Sequence, residues 1–127
     1  MNVVDSSGWI EFFMAGANGP LFKPVIEQRD LLLVPTIALF EVHKILSRNL
    51  NEDMVGRCLD VMRLGRVLDL TDRRAVAASK LARHYRLAFA DAAMYGMARE
   101  HGATFWTQNV DYQSLEGVRY FAKPTAA

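Results

Sequence analysis

Short apolar runs alternate along the chain with longer stretches whose apolar residues recur every three or four positions, a pattern that predicts strand–helix–strand units. Val3-Val4, ending at Asp5, is expected to form a short buried strand. Ser6 or Ser7 is expected to cap a helix carrying Trp9, Ile10, Phe12 and Phe13. After a turn over Gly16–Pro20, a second helical piece is predicted from Leu21 to Gln28. Leu31 to Val34 is a bare apolar run between Asp30 and Pro35, as a central parallel strand requires. Thr36 is expected to cap a helix reaching Ser47, and Asn51 to Leu64 forms the next, with a stripe of Met54, Cys58, Val61 and Met62. Val67 to Leu70 is predicted as a third strand. Thr71 with Asp72 then opens a helix to Tyr85 that gathers Ala75, Ala78 and Ala82 on one side. A helix over Ala90–His101 is closed by Gly102, and its small residues Ala92, Ala93 and Gly96 are expected to let it lie close to the sheet. Thr104–Trp106 and Val118–Phe121 complete the strands, and Pro124–Ala127 is expected to be a loose tail. The fold class is therefore α/β, with a central parallel sheet of four to five short strands flanked by helices.

At 127 residues and 14.3 kDa the chain fits one domain, 1–127, large enough to bury a core without a disulfide or structural metal. Hydrophobic residues make up 51% against 23% charged, which excludes intrinsic disorder. A net charge of +1 excludes a polybasic coat, so any nucleic-acid contact must be local. The single cysteine, Cys58, cannot pair internally and suits a reducing compartment. Asp5 interrupts the first apolar residues and no basic segment precedes them, so no secretory signal is read. The longest apolar stretch, Leu31 to Phe40, contains Pro35 and falls short of the roughly 20 residues that span a bilayer. A soluble cytoplasmic domain without membrane association is expected.

Candidate chemistry rests on acids at particular places. Asp5 follows the first strand, on the edge where open parallel sheets bind ligands, although taken alone a helix N-cap or turn is the more ordinary use for it. Glu41 falls between Ile37 and Ile45 at the border of an apolar stripe, where a carboxylate needs a partner: Lys44, Arg48 or a ligand. Asp91 stands at the start of a helix, where the dipole favours it. Asn109 and Asp111 follow the fourth strand and taken separately resemble turn residues. In a right-handed βαβ fold these positions converge on one sheet edge. Two carboxylates about 4 Å apart repel by roughly 4 kcal/mol at an effective dielectric near 20, so several in one pocket must protonate or bind a cation. An all-oxygen set suits Mg²⁺ or Mn²⁺ rather than zinc, and His43, His84 and His101 are too scattered to be ligands.

Carboxylate-held Mg²⁺ points to phosphate chemistry. The chain has no glycine-rich phosphate loop ending in Lys-Ser/Thr and no GxGxxG after its first strand. A receiver domain would want a second acid beside Asp5, where Val4 and Ser6 stand, and a dehalogenase-type phosphotransferase would want an aspartate at Ser7. Metal-dependent phosphodiester hydrolysis remains.

The opening Val-Val-Asp-Ser-Ser, Glu41 after Pro35-Thr36, and above all Leu87-Ala-Phe-Ala-Asp-Ala-Ala-Met-Tyr through Glu100-His-Gly-Ala-Thr-Phe-Trp-Thr-Gln-Asn resemble a PIN (PilT N-terminus) domain over essentially the whole chain. The similarity is to the VapC ribonuclease toxins of toxin–antitoxin pairs. It implies a Mg²⁺-dependent endoribonuclease with Asp5, Glu41 and Asp91 as catalytic acids. It also implies a homodimer, and a VapB-type antitoxin whose C-terminal segment covers the site. Asp5, Asp91 and Glu41 would hold the metal, with Asn109 and Asp111 toward a second ion or the leaving side. Ser6 and Thr107 match hydroxyl positions and are assigned supporting hydrogen bonds. Asn109 departs from the family, which often has an aspartate there; one negative charge is removed, leaving one or two metals open.

Arg73, Arg74, Arg83 and Arg86, with Lys80 between them, form a local basic surface that could track RNA phosphates or simply solubilise a helix. Arg57, Arg63 and Arg66 lie upstream. Trp9, Phe12, Phe13 and Phe40 are expected in the core or an interface rather than as base-stacking platforms. A PIN-like binding module with a weakened metal site competes with the enzyme, and a DNase would share the same acids.

Overall fold

Val3 and Val4 have no exposed surface, which places the first strand at the centre of the molecule. In the computed structural model, which describes residues 1–125, β1 (Asn2–Val4) pairs in parallel with β2 (Leu32–Pro35) on one side and β4 (Thr104–Thr107) on the other. β3 (Arg66–Leu68) extends the sheet beyond β2, and β5 (Val118–Tyr120) extends it beyond β4. The result is a five-stranded parallel sheet in the order β3-β2-β1-β4-β5. Val3 lies opposite Leu33 and Phe105, and Val4 opposite Trp106. Val3, Leu33 and Phe105 are fully buried, as strands covered on both faces require.

Among the described residues six helices cover the sheet: α1 (Ser6–Phe13), α2 (Gly19–Glu27), α3 (Thr36–Leu46), α4 (Glu52–Met62), α5 (Asp72–Tyr85) and α6 (Phe89–Glu100). Two 3-10 turns, Arg29–Leu31 and Val110–Tyr112, precede β2 and follow β4. The α/β class and the parallel sheet agree with the sequence pattern; several boundaries and faces do not. Leu31 belongs to the first 3-10 turn and is exposed, so β2 begins one residue later. β3 runs from Arg66 and ends at Leu68, short of Leu70. On α4 the buried residues are Val55, Leu59 and Met62; Met54 is exposed, while Cys58 and Val61 are partly buried beside the core. Phe40 is 64% exposed on α3 and lies outside the core, whereas Trp9 is fully buried. Ala92 and Ala93 of α6 are buried as expected, but Gly96 faces α5: a Cβ there would meet Leu81 Cδ1 at 3.0 Å.

Asn51 and Thr71 cap α4 and α5 by accepting from Met54 N and Arg74 N. Gly102 follows α6 at φ +61, the left-handed conformation glycine adopts without strain. Residues 124 and 125 carry no regular structure, and the remainder of the expected tail, 126 and 127, lies outside the described residues. Among the described residues no helix is long and apolar enough to cross a membrane.

Candidate active site

The strand order reverses at β1, whose successors run to β2 and β3 on one side while β4 and β5 add on the other. In an open parallel sheet such a switch point leaves a crevice beyond the carboxyl ends of the two strands that flank it. Asp5 leaves β1 at that point, its N–H donating to Trp106 O of β4 at 3.0 Å.

Asp5, not Ser6 or Ser7, is the cap of α1. Ser7 cannot cap because its hydroxyl is turned to Asp5: Asp5 Oδ1 accepts the Ser7 O–H, the Ser7 N–H at 2.7 Å and the Gly8 N–H at 3.2 Å. Oδ2 accepts the Thr107 hydroxyl at 2.6 Å, which joins the ends of β1 and β4. Gly8 permits this closeness, since a Cβ there would stand 2.7 Å from the Phe22 ring and 2.8 Å from Val4 Cγ1. The carboxyl is 2% exposed; burial raises its pKa above the ordinary value, and the hydrogen bonds of Ser7, Thr107 and Gly8 oppose that rise. Oδ1 is saturated, while Oδ2 keeps one lone pair free.

Glu41 reaches the same edge from α3, where its Oε1 accepts the Ser6 hydroxyl at 2.8 Å. Neither Lys44 nor Arg48 pairs with it among the described residues. Asp91 lies in the first turn of α6. That helix begins at Ala88 without a side-chain cap, and Asp91 does not supply one. α3 has none either: Pro35 takes the position before it, and Thr36 is its first helical residue. Desolvation raises the Asp91 pKa, the neighbouring Asp111 charge adds to the rise, and the nearby Tyr112 hydroxyl opposes it. Asp111, itself exposed, is thus close enough for its charge to be felt at Asp91. Asn109 donates its N–H to Thr107 Oγ1 at 2.9 Å, and its side-chain oxygen accepts from Asp111 N at 3.0 Å, which caps the second 3-10 turn.

Tyr112 was not marked by any pattern in the sequence. Its ring is fully buried against Phe105, with centroids 4.7 Å apart. Among the described residues its hydroxyl has no partner in full hydrogen-bond geometry, although it sits beside Asp91 and in the field of Asp5 and Glu41. Burial first, then those carboxylates, push its pKa far up, so it remains a donor. A second unmarked group braces the loop from behind. Glu11 accepts from Asn18 N and Gln108 Nε2, and Asn18 Nδ2 donates to Gln108 Oε1 at 3.0 Å.

The predicted basic residues do not join the acids. Arg74 grips Glu100 through Nε and Nη2, at 3.1 and 2.9 Å, and donates to Asp69 O. Arg73 and Arg83 are exposed on α5, and Arg86 ends that helix in the left-handed conformation at φ 57. No arginine or lysine enters the ionisation of Asp5 or Asp91. His43 and His84 are exposed, and His101 binds Met97 O at the end of α6.

Carboxylates without a protein counter-charge are suited to a cation from solution. All donors are oxygen, and Asp5 Oδ2 and Glu41 Oε2 keep lone pairs, so the chemistry fits a hard divalent ion. Among the described residues no three acidic, imidazole or thiol groups are gathered tightly enough to form a ready coordination set. Glu41 and Asp91 are partly exposed and held by at most one hydrogen bond, which leaves them free to close on an ion.

The family model described as PIN domain matches residues 3–118. No curated protein sequence matches the chain. A toxin–antitoxin complex from Klebsiella pneumoniae contains a chain similar in fold at TM-score 0.78 and 18% identity, over 94% of this chain and 96% of that one. VapC20 of Mycobacterium tuberculosis, a toxin that cleaves the sarcin-ricin loop, also gives a TM-score of 0.78, with 21% identity over 93% of this chain and 97% of that one. VapBC2 of Rickettsia felis, bound to a DNA fragment from its promoter, gives 0.72 and 11% identity over 95% and 97%.

Proposed function

The chain belongs to the PIN domain family, and from that premise we propose that it is the endoribonuclease toxin of a toxin–antitoxin pair, cutting RNA phosphodiester bonds with a divalent ion. The observation that carries this is the meeting of Asp5, Glu41 and Asp91 around Tyr112 at the sheet's switch point, with no basic side chain to neutralise them. Structural neighbours that are toxins in antitoxin complexes support the pairing with a VapB-type antitoxin. A homodimer acting in the cytoplasm completes the proposal.

Asp5 and Asp91 would hold Mg²⁺ or Mn²⁺, with Asp111 and the remaining lone pair of Asn109 toward the outer side. The ion, when bound, supplies charge to the phosphate oxygens and lets an RNA strand approach an acidic edge. Thr107 and Ser7 hold the Asp5 carboxylate in place and leave one lone pair of Oδ2 unused. Ser6 holds one oxygen of Glu41 and leaves Oε2 to orient the attacking water and accept its proton. Arg73, Arg83 and Arg86, which make no ion pair among the described residues, are the cations available to RNA phosphates. Arg74 would first have to release Glu100.

The test is incubation of purified, antitoxin-free protein with end-labelled total RNA in Mg²⁺, Mn²⁺ or EDTA, beside Asp91→Asn. Discrete, metal-dependent cleavage that vanishes in the variant is expected. One observation favours a second reading, a binding module with a weakened metal site: Asn109 spends its side-chain oxygen on capping a turn. Intact RNA with both metals, from folded protein, would decide for that reading.

A further inference from the structure

Among the described residues no group accepts the Tyr112 hydroxyl in full hydrogen-bond geometry. The side chain is wholly buried and its hydroxyl has no partner in full geometry among the described residues, an arrangement native proteins seldom leave without a use. The ring is fixed by Phe105 and Tyr95, at centroid separations of 4.7 and 6.2 Å, so the hydroxyl's position follows from packing. Three carboxylates face it, and two are already provided for. Asp5 takes four donors and Glu41 takes the Ser6 hydroxyl. Asp91 lies beside the phenol, which opposes the rise of its pKa, yet among the described residues no bond of full hydrogen-bond geometry joins the two. A donor without a full bond therefore adjoins a carboxylate without one. With no accessible surface on the hydroxyl, an RNA phosphate cannot be its acceptor.

We propose that Tyr112 is a positioning residue for Asp91: when a divalent ion binds, one Asp91 oxygen accepts the Tyr112 O–H and the other is thereby aimed at the ion. This rests on the cation-binding reading of the acidic edge. Tyr112→Phe keeps the ring and removes only the donor.

The experiment measures Mn²⁺ affinity from the free-ion paramagnetic resonance signal for the wild type, Tyr112→Phe, Asp91→Asn and the double variant, with melting temperatures taken without metal. Hydrogen bonds to charged groups are the strong ones, so Tyr112→Phe is expected to bind Mn²⁺ about tenfold more weakly. The same change on the Asp91→Asn background should add no loss, because the two residues act as one unit. The metal-free melting temperature should hold or rise, since an orphaned hydroxyl has been removed. Equal Mn²⁺ affinity in Tyr112→Phe and wild type would overturn the proposal, as would the same loss with or without Asp91. A lower metal-free melting temperature would assign the effect to packing and overturn it too. A wild type that takes up no Mn²⁺ would instead overturn the cation-binding reading on which the proposal stands.

Discussion

Asp5 and Asp91 occupy comparable places, each at the first turn of a helix on the carboxyl edge of the sheet, and the fold treats them in opposite ways. Asp5 caps α1, accepts four hydrogen bonds and ties β1 to β4 through Thr107. Asp91 enters a helix with no side-chain cap and takes no bond of good geometry, although burial and Asp111 both penalise its charge. The first acid is held by structure and lends one lone pair to chemistry. The second is favoured by the helix dipole but caps nothing, and its charge is the one the proposal assigns to a bound cation.

Asp91→Asn is expected to reduce metal-dependent RNA cleavage by at least about 100-fold while leaving unfolding stability within about 0.5 kcal/mol. Cleavage rates and urea denaturation on the same preparation check both halves. Asp5→Ala should fail in both respects: cleavage is lost, and the lost cap and stranded Ser7 and Thr107 hydroxyls cost about 2–3 kcal/mol. Asp5→Asn, which still caps, should recover most of the stability and none of the cleavage. Asn109→Asp sharpens the contrast from the other direction. An aspartate can accept the Asp111 N–H as Asn109 does, and its added charge should tighten Mn²⁺ binding by roughly tenfold in a calorimetric titration.

Titration gives a smaller effect with a defined sign. The folded-state pKa of Asp91 is raised, so the native chain holds its proton longer than the unfolded chain does. Its contribution to stability is full below the ordinary aspartate value of about 3.9 and is lost as pH rises through the raised one. The stability of Asp91→Asn minus that of the wild type, both metal-free, should therefore increase with pH from about 4 upward. Smallest of all is Arg74→Ala, which removes a bidentate, partly exposed pair with Glu100 and should cost no more than about 1 kcal/mol by urea denaturation.

Much of the frame is legible in the chain because parallel strands buried on both faces must be bare apolar runs, and Val3-Val4 and Leu32–Val34 are such runs. The places of Asp5, just past β1, and Asp91, in the first turn of α6, are legible too, whereas Glu41 lies in the second turn of α3. Details set by tertiary packing are not. The α4 face is misjudged because Met54 is apolar and exposed while Val55, one position on, is buried. Ser6 and Ser7 look like caps until both hydroxyls are found on carboxylates, Ser6 on Glu41 and Ser7 on Asp5. Arg74 reads as a free cation because Glu100 is 26 residues away in sequence. Tyr112 leaves no periodic trace in a three-residue turn, and its importance lies in a missing partner, which no pattern of residues can display.

Soaking crystals of the protein in Mn²⁺ and locating the ion by anomalous scattering is the most direct test of how the acidic edge is used. The expected result is a peak at about 2.1 Å from Asp5 Oδ2 and from an oxygen of Asp91, with Glu41 closing the same octahedral set directly or through water. A peak only on surface carboxylates, or no peak at the ends of β1 and β4 under saturating Mn²⁺, would contradict it.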